Sequence, residues 1–294
     1  KGNVMKKKKI VSLLMAALMI GQFLPSETMT AFAGESALVG KEQLADRHTV
    51  APKKDSVVPN ANQYEYQKQE LAAFCHFGPN TFNEIEWGEK YGDKKPDEIF
   101  KLEEDFDADT FVEAIKEAGF EKLIVTAKHH DGFCIWNSKH TEYDVESTSY
   151  ASKNYNGLGG DVLAEISAAC TKYDVDMGLY LSPWDIHDDS YGYKDKDGKA
   201  LVRLVNGKSE PIEGLTWADV KERDAKDYNE YYNNQLEEIL GNQKYGNNGH
   251  FKEVWMDGAK GSGAGYQEYE FQKWFATIQK HEGKEAGFDS DCML

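Results

Sequence analysis

Lys122–Phe133 reads KLIVTAKHHDGF, a run of apolar residues that gives way to two histidines, an aspartate and a glycine. Glu253–Ala259 reads EVWMDGA and repeats the pattern, with a short apolar run that ends at Asp257 and a glycine. Each pattern is typical of a buried strand that ends in a glycine turn. Polar residues at the carboxyl ends of successive strands are where a β/α barrel keeps its active site. The two stretches therefore predict an α/β fold of the barrel type with a site at this edge.

Strands and helices alternate along the chain from about Tyr64 onward. The predicted strands are 71–78, 122–128, 176–181, 253–256 and 285–290, and the predicted helices are 108–119, 160–173, 228–240 and 266–281. Alternation implies a parallel sheet with right-handed crossovers, and the apolar strands indicate a sheet covered on both faces. A (β/α)8 TIM-like barrel needs eight of each unit, so we expect a barrel truncated after about five strands. A doubly wound five-stranded sheet is the alternative, although no glycine-rich phosphate loop follows a strand.

A long polar segment, 185–227, interrupts this alternation after the third predicted strand. Within it, Asp195–Lys199 reads DKDGK and is typical of a hairpin turn. On a barrel, a long loop after a strand lies over the site, and we expect this segment to do so.

The first 33 residues carry the pattern of an export signal. Met5 precedes four lysines, an apolar run over 10–24 and then Ala31-Phe32-Ala33. A basic start, a short apolar stretch and a small-x-small site are typical of a secretory signal peptide. We predict cleavage after Ala33 and a secreted or cell-surface protein without a membrane span, since no stretch is long enough. Residues 34–60 are predicted to be a polar tether, and 61–294 the N-terminal portion of the barrel domain.

The composition is acidic, which limits the class of partner. The 51 Asp and Glu residues against 34 Lys and Arg give a net charge of −17. This charge excludes nucleic acid and anionic membranes as expected partners, whereas neutral sugars remain suitable substrates. No oligomeric state follows from the sequence.

Each predicted strand ends in residues able to bind a polar ligand. These residues are His76, His129 with His130, Tyr180 with Trp184, and Asp257. A single histidine is ordinarily structural, but four such strand ends indicate a shared site. A carboxylate among histidines and tryptophans suits glycoside cleavage, because imidazole and indole N–H groups can donate to the carboxylate and to sugar hydroxyls.

Metal binding is the competing interpretation of the same residues. Asp131 and Asp257 with the two histidines are a potential ligand set, but adjacent strand residues point to opposite faces, so no metal is predicted. The cysteines have no Cys-x-x-Cys spacing, which favours buried free thiols over disulfides or a metal site. They are Cys75, Cys134, Cys170 and Cys292.

Five motifs together resemble the catalytic domain of glycoside hydrolase family 29 α-L-fucosidases, over about Tyr64 to Leu294. They are FCHFGPNTF at 74–82, EWG at 86–88, KHHDGF at 128–133, GLYLSPWD at 178–185 and VWMDG at 254–258. The combination of HFGPNTF and EWG with YLSPWD is similar to the branch that prefers α-1,3/1,4-linked fucose.

The resemblance implies a retaining hydrolase on a β/α barrel that needs no cofactor and acts on a fucosylated oligosaccharide or glycoprotein glycan. Asp257 matches the nucleophile that forms a covalent fucosyl-enzyme. His76, His129 and His130 match the histidines that hold the fucose hydroxyls. Glu86, Trp87 and Tyr180 match further contacts around that sugar, and Trp184 is expected to line the pocket.

The acid/base glutamate of this branch, with an Arg-Trp pair near it, follows the nucleophile by some tens of residues. Only 37 residues follow Asp257, and their carboxylates are poorly placed, in or beside a predicted helix or at the end of the fifth predicted strand. They are Glu268, Glu270, Glu282, Glu285, Asp289 and Asp291. We therefore expect the acid/base beyond Leu294 and the sequence to be a fragment. The alternative is a non-catalytic barrel derivative that binds fucose or a glycan.

Overall fold

The computed structural model describes residues 58–59, 61–102, 106–153, 157–258, 265–283 and 292–293. Pro59–Leu294 forms one compact unit. The predicted signal peptide, the tether apart from Val58 and Pro59, and the predicted strand 285–290 lie outside the described residues. No helix in the described part of the chain is long and apolar enough to cross a membrane.

A parallel sheet lies at the centre of the described residues. The strands are β1 (Ala72–Cys75), β2 (Lys122–Lys128), β3 (Asp176–Leu181), β4 (Val202–Val205), β5 (Lys208–Pro211) and β6 (Glu253–Trp255). β1, β2, β3 and β6 pair in this order, all in parallel, whereas β4 and β5 form a separate antiparallel hairpin. Four predicted strands and their parallel pairing are thus confirmed.

A segment at Met293 pairs beside β6; the predicted strand 285–290 lies outside the described residues and stays a prediction. The Met293 N–H donates to the Lys252 carbonyl at 2.9 Å, and the Val254 N–H donates to the Met293 carbonyl at 2.8 Å. This bridge is parallel, so the segment next to β6 runs in the same direction as the strands of the sheet.

Helices flank the strands, and the four predicted helices are among them. They are α1 (Ala61–Lys68), α2 (Pro79–Asn83), α3 (Pro96–Ile99), α4 (Ala108–Glu117), α5 (Val162–Lys172), α6 (Trp217–Arg223), α7 (Tyr228–Leu240) and α8 (Phe271–Glu282). Asp107, Asp161 and Asp227 accept hydrogen bonds from the first-turn N–H groups of α4, α5 and α7. Such capping determines where each helix begins.

Helix α8 begins five residues later than the predicted start at Tyr266. The Asn229 side chain accepts a hydrogen bond from the Glu270 N–H at 2.9 Å and donates to the Glu268 carbonyl at 3.0 Å. These backbone groups are therefore bound to α7 instead of forming a first helical turn, which corrects the predicted boundary.

The two faces of the sheet differ in what covers them. Alternate residues of the strands, such as Leu123, Leu179 and Val254, are buried in the main hydrophobic core with residues of α4, α5 and α7. The intervening residues point to the other face, where the ring centroids of Phe74 on β1 and Trp255 on β6 lie 5.3 Å apart. In a flat sheet, strands separated by two others lie about 14 Å apart. The sheet is therefore strongly curved and this face is concave, as in strands of a barrel.

Helix α1 covers the amino-terminal end of the sheet. Lys122 and Glu253, the first residues of β2 and β6, form a buried ion pair at 2.6 Å. The Tyr66 hydroxyl of α1 donates to Glu253 at 3.1 Å, and the Lys122 ammonium lies 3.9 Å from the Tyr66 ring centroid. The carboxyl-terminal end of the strands is thus the one left for a site.

The polar segment after β3 folds into the hairpin β4–β5 and helix α6, with a small core of its own. The predicted turn at Asp195–Lys199 is confirmed, since the Lys199 N–H donates to the Asp195 carboxylate at 2.9 Å. A second turn was missed: Asn206-Gly207, with φ of 51° and 75°, joins β4 to β5, and Asn-Gly is a strong hairpin signal. The hairpin contacts the segment that follows β6, where Ser209 donates to the Gly265 carbonyl.

Candidate active site

The Asp257 carboxylate lies at the carboxyl end of β6, and its side chain is 51% exposed. The Tyr180 hydroxyl donates to Oδ2 at 2.9 Å, and the Gly258 N–H donates to Oδ1 at 2.7 Å. Nε2 of His130 lies 3.8 Å from Oδ2. Burial, and then the charge of Asp257, raise the pKa of Tyr180, so the phenol remains a donor. The carboxylate is thus held in one orientation yet open to a ligand.

Three histidines form a cluster beside this carboxylate. The ring centroids of His129 and His130 lie 4.2 Å apart, and those of His76 and His129 lie 5.5 Å apart. The ring of His129 also stacks on that of Tyr180, with centroids 5.7 Å apart. Residues from the ends of β1, β2 and β3 therefore converge on Asp257, at the end of β6.

The adjacent histidines His129 and His130 share one site, contrary to the alternation expected of a strand. The β2–β3 register shifts between Thr126 and Lys128, and β2 ends at Lys128. Gly132 then takes a φ of 80°. The alternation of side chains stops where the strand stops, which is why both rings reach Asp257.

The histidines are poor bases in this environment. Burial lowers the pKa of His129 to about 4, and the neighbouring His130 and His76 add to the effect. Burial also lowers the pKa of His76 and His130, which the carboxylates of Asp257 and Glu86 partly oppose. Near neutral pH each ring has one donor and one acceptor nitrogen. The buried Nδ1 of His129 has no hydrogen-bond partner among the described residues.

Two tryptophans form one wall of the cluster. The ring centroids of Trp87 and Trp184 lie 5.5 Å apart, and Trp184 lies 4.6 Å from His130. Trp87 is 45% exposed, so its ring is available to a ligand. Glu86 precedes it and acts electrostatically on His76 and His130. The structure therefore brings together all eight residues that the sequence indicated.

The model of the family described as Alpha-L-fucosidase matches residues 37–290. The chain belongs to this family. Among its relatives, Alpha-L-fucosidase 1 of Arabidopsis thaliana is 39% identical over 227 residues, which cover 77% of this chain and 36% of the plant protein.

Solved structures of fucosidases resemble the chain as well. A Ruminococcus gnavus GH29 fucosidase in complex with fucose is 65% identical, with a TM-score of 0.71, over 84% of this chain and 45% of that one. A mutant of the same fucosidase, also in complex with fucose, is 64% identical with a TM-score of 0.71, over 84% of this chain and 44% of that one. The chain therefore spans between a third and a half of the length of these relatives.

Sequence reasoning missed two residues that connect parts of this fucosidase-family site. Ser182 is fully buried and its hydroxyl contacts His130, Trp184 and the Asp257 backbone. Gly258 has a φ of 79°, and a Cβ there would lie 2.7 Å from Cε1 of His130. Both lie in quoted motifs, so a signal existed: a small residue within two positions of a predicted site residue at a strand end.

A buried ion pair joins the KHHDGF and YLSPWD motifs. Nζ of Lys128 lies 3.2 Å from Oδ2 of Asp185, both side chains are buried, and Lys128 also donates to Gln235 at 2.9 Å. The other oxygen of Asp185 accepts hydrogen bonds from the N–H groups of His187 and Asp188. The pair therefore fixes the loop after β3 against the end of β2.

No group of three or more His, Cys, Asp and Glu side chains in the described ranges is arranged to hold a metal ion. All four cysteines are free; Cys134 and Cys170 are buried as predicted, whereas Cys75 and Cys292 are only partly buried. Burial raises the pKa of Cys75 to about 11 and that of Cys170 to about 12. These thiols are therefore protonated near neutral pH.

Asp131, next to the histidines, should make stability depend on pH. Burial raises its pKa to about 7, against about 3.9 in an unfolded chain. Its contribution to stability is therefore present below pH 4 and lost as pH rises to 7. Asparagine has the same shape as aspartate but no charge. We therefore expect the free energy of unfolding of Asp131→Asn, relative to that of the wild type, to increase by on the order of 3 kcal/mol from pH 4 to pH 8.

Urea unfolding of both proteins across this range would measure the difference. The titrations of His129 and of other shared groups cancel in the comparison. A stability difference that does not change with pH would contradict the raised pKa of Asp131.

Proposed function

We propose that this chain carries the sugar-binding and nucleophilic part of an exported, retaining α-L-fucosidase. The observation that carries the proposal is the Asp257 carboxylate, oriented by Tyr180 and open to solvent beside a cluster of histidines. The fucose bound to the similar Ruminococcus gnavus enzyme supports it. The concave sheet supports a (β/α)8 barrel, and the basic and apolar pattern of residues 1–33 supports export.

The chemistry follows from the placement of Asp257. A carboxylate oxygen attacks the anomeric carbon of the fucose, the bond from that carbon to the leaving oxygen breaks, and a general acid protonates the leaving group. Water then attacks the anomeric carbon from the face that the leaving group has left and gives a proton to the same acid/base group, the bond to Asp257 breaks, and fucose is released with retained configuration. Tyr180 can weaken its hydrogen bond to the carboxylate as the covalent bond forms.

The remaining residues of the site bind the sugar. His76, His129 and His130 each offer a donor or acceptor nitrogen to its hydroxyls. Trp87 and Trp184 offer ring faces to the apolar side of the pyranose, and Glu86 is a further hydroxyl acceptor. The natural substrate on this proposal is a fucosylated oligosaccharide or glycoprotein glycan, with α-1,3/1,4-linked fucose as the preferred linkage.

The general acid is proposed to lie beyond Leu294, in a part of the family domain that these residues do not include. A retaining pair of carboxyl groups lies about 5–5.5 Å apart. Glu282 instead binds His250 at 2.6 Å, and Glu270 lies 3.5 Å from Lys221. Glu268 lines a cavity beside the hairpin, together with Trp217. Glu285, Asp289 and Asp291 lie outside the described residues.

Binding of the two enantiomers of fucose tests this proposal. We expect L-fucose to bind in isothermal titration calorimetry and D-fucose, with equal size and polarity, to bind at least about 10-fold more weakly, since a misplaced hydroxyl leaves site groups unpaired. The chain should also cleave 4-nitrophenyl α-L-fucoside, whose leaving group depends less on a general acid.

The outcomes separate the two functions. Selective binding with turnover supports the hydrolase. Selective binding without turnover of the activated substrate would favour a non-catalytic fucose-binding barrel. Equal affinity for both enantiomers, or no binding, would contradict both.

A further inference from the structure

Ser182 is a polar centre inside the proposed site. It follows β3 directly and its side chain is fully buried. Its hydroxyl oxygen lies 2.7 Å from Nδ1 of His130 and 2.7 Å from the backbone carbonyl oxygen of Trp184. It also lies 3.1 Å from the backbone nitrogen of Trp184 and 3.2 Å from the backbone carbonyl oxygen of Asp257. One hydroxyl thus contacts the ends of three strands.

The number of hydrogens available around Ser182 determines which group donates each hydrogen bond and which accepts it. A serine hydroxyl has one hydrogen to donate and two lone pairs that accept. The Trp184 N–H can only donate, and the two carbonyls can only accept. The hydroxyl hydrogen can therefore go to a carbonyl, of which that of Trp184 is the nearer, or to Nδ1 of His130 if this nitrogen carries no hydrogen.

The contact between Ser182 and His130 must then be a donation from the imidazole. If Nδ1 accepted the hydroxyl hydrogen instead, the Ser182 and Trp184 oxygens would face each other at 2.7 Å with no hydrogen between them. A buried acceptor without a donor costs about 1–3 kcal/mol. With Nδ1 as donor, the single hydrogen and both lone pairs of Ser182 are used.

We infer that Ser182 is a positioning residue that holds His130 in the tautomer with its hydrogen on Nδ1, so that Nε2 presents a lone pair to the ligand. Burial lowers the pKa of His130, which keeps the ring neutral. Nε2 and Oδ2 of Asp257 are 3.8 Å apart, and both are acceptors in this state. A ligand that donates a hydrogen between them, such as a hydroxyl of the sugar, fits this pair. The role of the lone pair rests on the proposed function, whereas the tautomer does not.

Nuclear magnetic resonance of the unliganded protein tests the tautomer directly. In the full chain labelled with ¹⁵N-histidine, long-range ¹H–¹⁵N spectra at pH 7.5 distinguish a protonated ring nitrogen from a bare one. The signals that disappear in His130→Asn identify His130. We expect Nδ1 protonated and Nε2 bare, and a protonated Nε2 in the wild type would overturn the inference.

Three serine variants separate positioning from a general loss of packing. Ser182→Ala should shift His130 toward the tautomer with Nε2 protonated and weaken L-fucose binding about 10-fold, whereas Ser182→Thr keeps the hydroxyl and should keep the wild-type tautomer. Ser167→Ala is the matched control, since Ser167 is equally buried but donates to the Leu163 carbonyl in α5 at 2.7 Å. It should leave the His130 spectrum unchanged.

These outcomes distinguish the two proposals. If Ser182→Ala folds and His130 keeps its hydrogen on Nδ1, Ser182 does not set the tautomer. If the tautomer responds as expected but L-fucose does not bind to any variant or to the wild type, the tautomer assignment stands and the proposed function fails.

Discussion

Asp257→Asn is expected to reduce turnover of 4-nitrophenyl α-L-fucoside by about 10⁴-fold or more while L-fucose still binds. The amide has the shape of the carboxylate and can still accept the hydrogen bond from Tyr180, so the pocket is retained. It cannot form the proposed covalent ester with the anomeric carbon, so the proposed step on Asp257 would be lost. Initial rates, compared with fucose affinity from calorimetry, measure the two effects separately.

Azide distinguishes a lost nucleophile from a disturbed pocket. Asp257→Gly opens space for azide to attack the anomeric carbon in place of the carboxylate, and the expected product is β-L-fucosyl azide. Asp176→Asn is the matched control, because Asp176 lies at the amino-terminal end of β3, where it accepts a hydrogen bond from Gln69 at 2.6 Å. It should retain nearly full turnover. Wild-type-like rates for Asp257→Asn would refute the nucleophile assignment.

The convergence of the proposed site was predictable because it is a property of topology. His76, His129 and Asp257 follow strands and Tyr180 is the last residue but one of β3, and parallel strands bring their carboxyl ends to the same edge of a sheet. Their spacing along the chain is irrelevant to this argument. The apolar runs alone therefore predicted that residues far apart in the chain lie in one site. His76 and Asp257, which are 181 positions apart, are an example.

The details that were missed depend on contacts between distant side chains. Helix α8 starts later than predicted because Asn229 binds the backbone of Glu268 and Glu270. No local sequence pattern near 266 contains that information. The shared position of His129 and His130 depends on a register shift against β3. The partners of Ser182 become visible only once β2, β3 and β6 are adjacent.

Gly258→Ala is expected to lower turnover of the same substrate about 100-fold, although the methyl group is far smaller than the ligand. Gly258 has a φ of 79°, and an added Cβ would lie 2.7 Å from Cε1 of His130 and 2.9 Å from Cβ of Trp184. The left-handed backbone alone costs about 1–2 kcal/mol. The clash must also move the turn that carries Asp257 or the His130 ring. Misplacement of a reacting group by about 1 Å costs on the order of 10²-fold in rate.

Gly198→Ala separates the clash from the backbone effect. Gly198 has a φ of 75° in the turn of the polar segment, and an added Cβ there meets no atom within 4 Å. It should therefore lose stability to a similar small extent, as measured by thermal unfolding, and keep its turnover. Because Gly258 directly follows Asp257, the proposed nucleophile, its replacement should reduce kcat more than it raises KM. Equal activity of the two alanine variants would show that the site tolerates movement of the turn that carries Asp257. The close approach of Gly258 to His130 would then have no part in positioning Asp257.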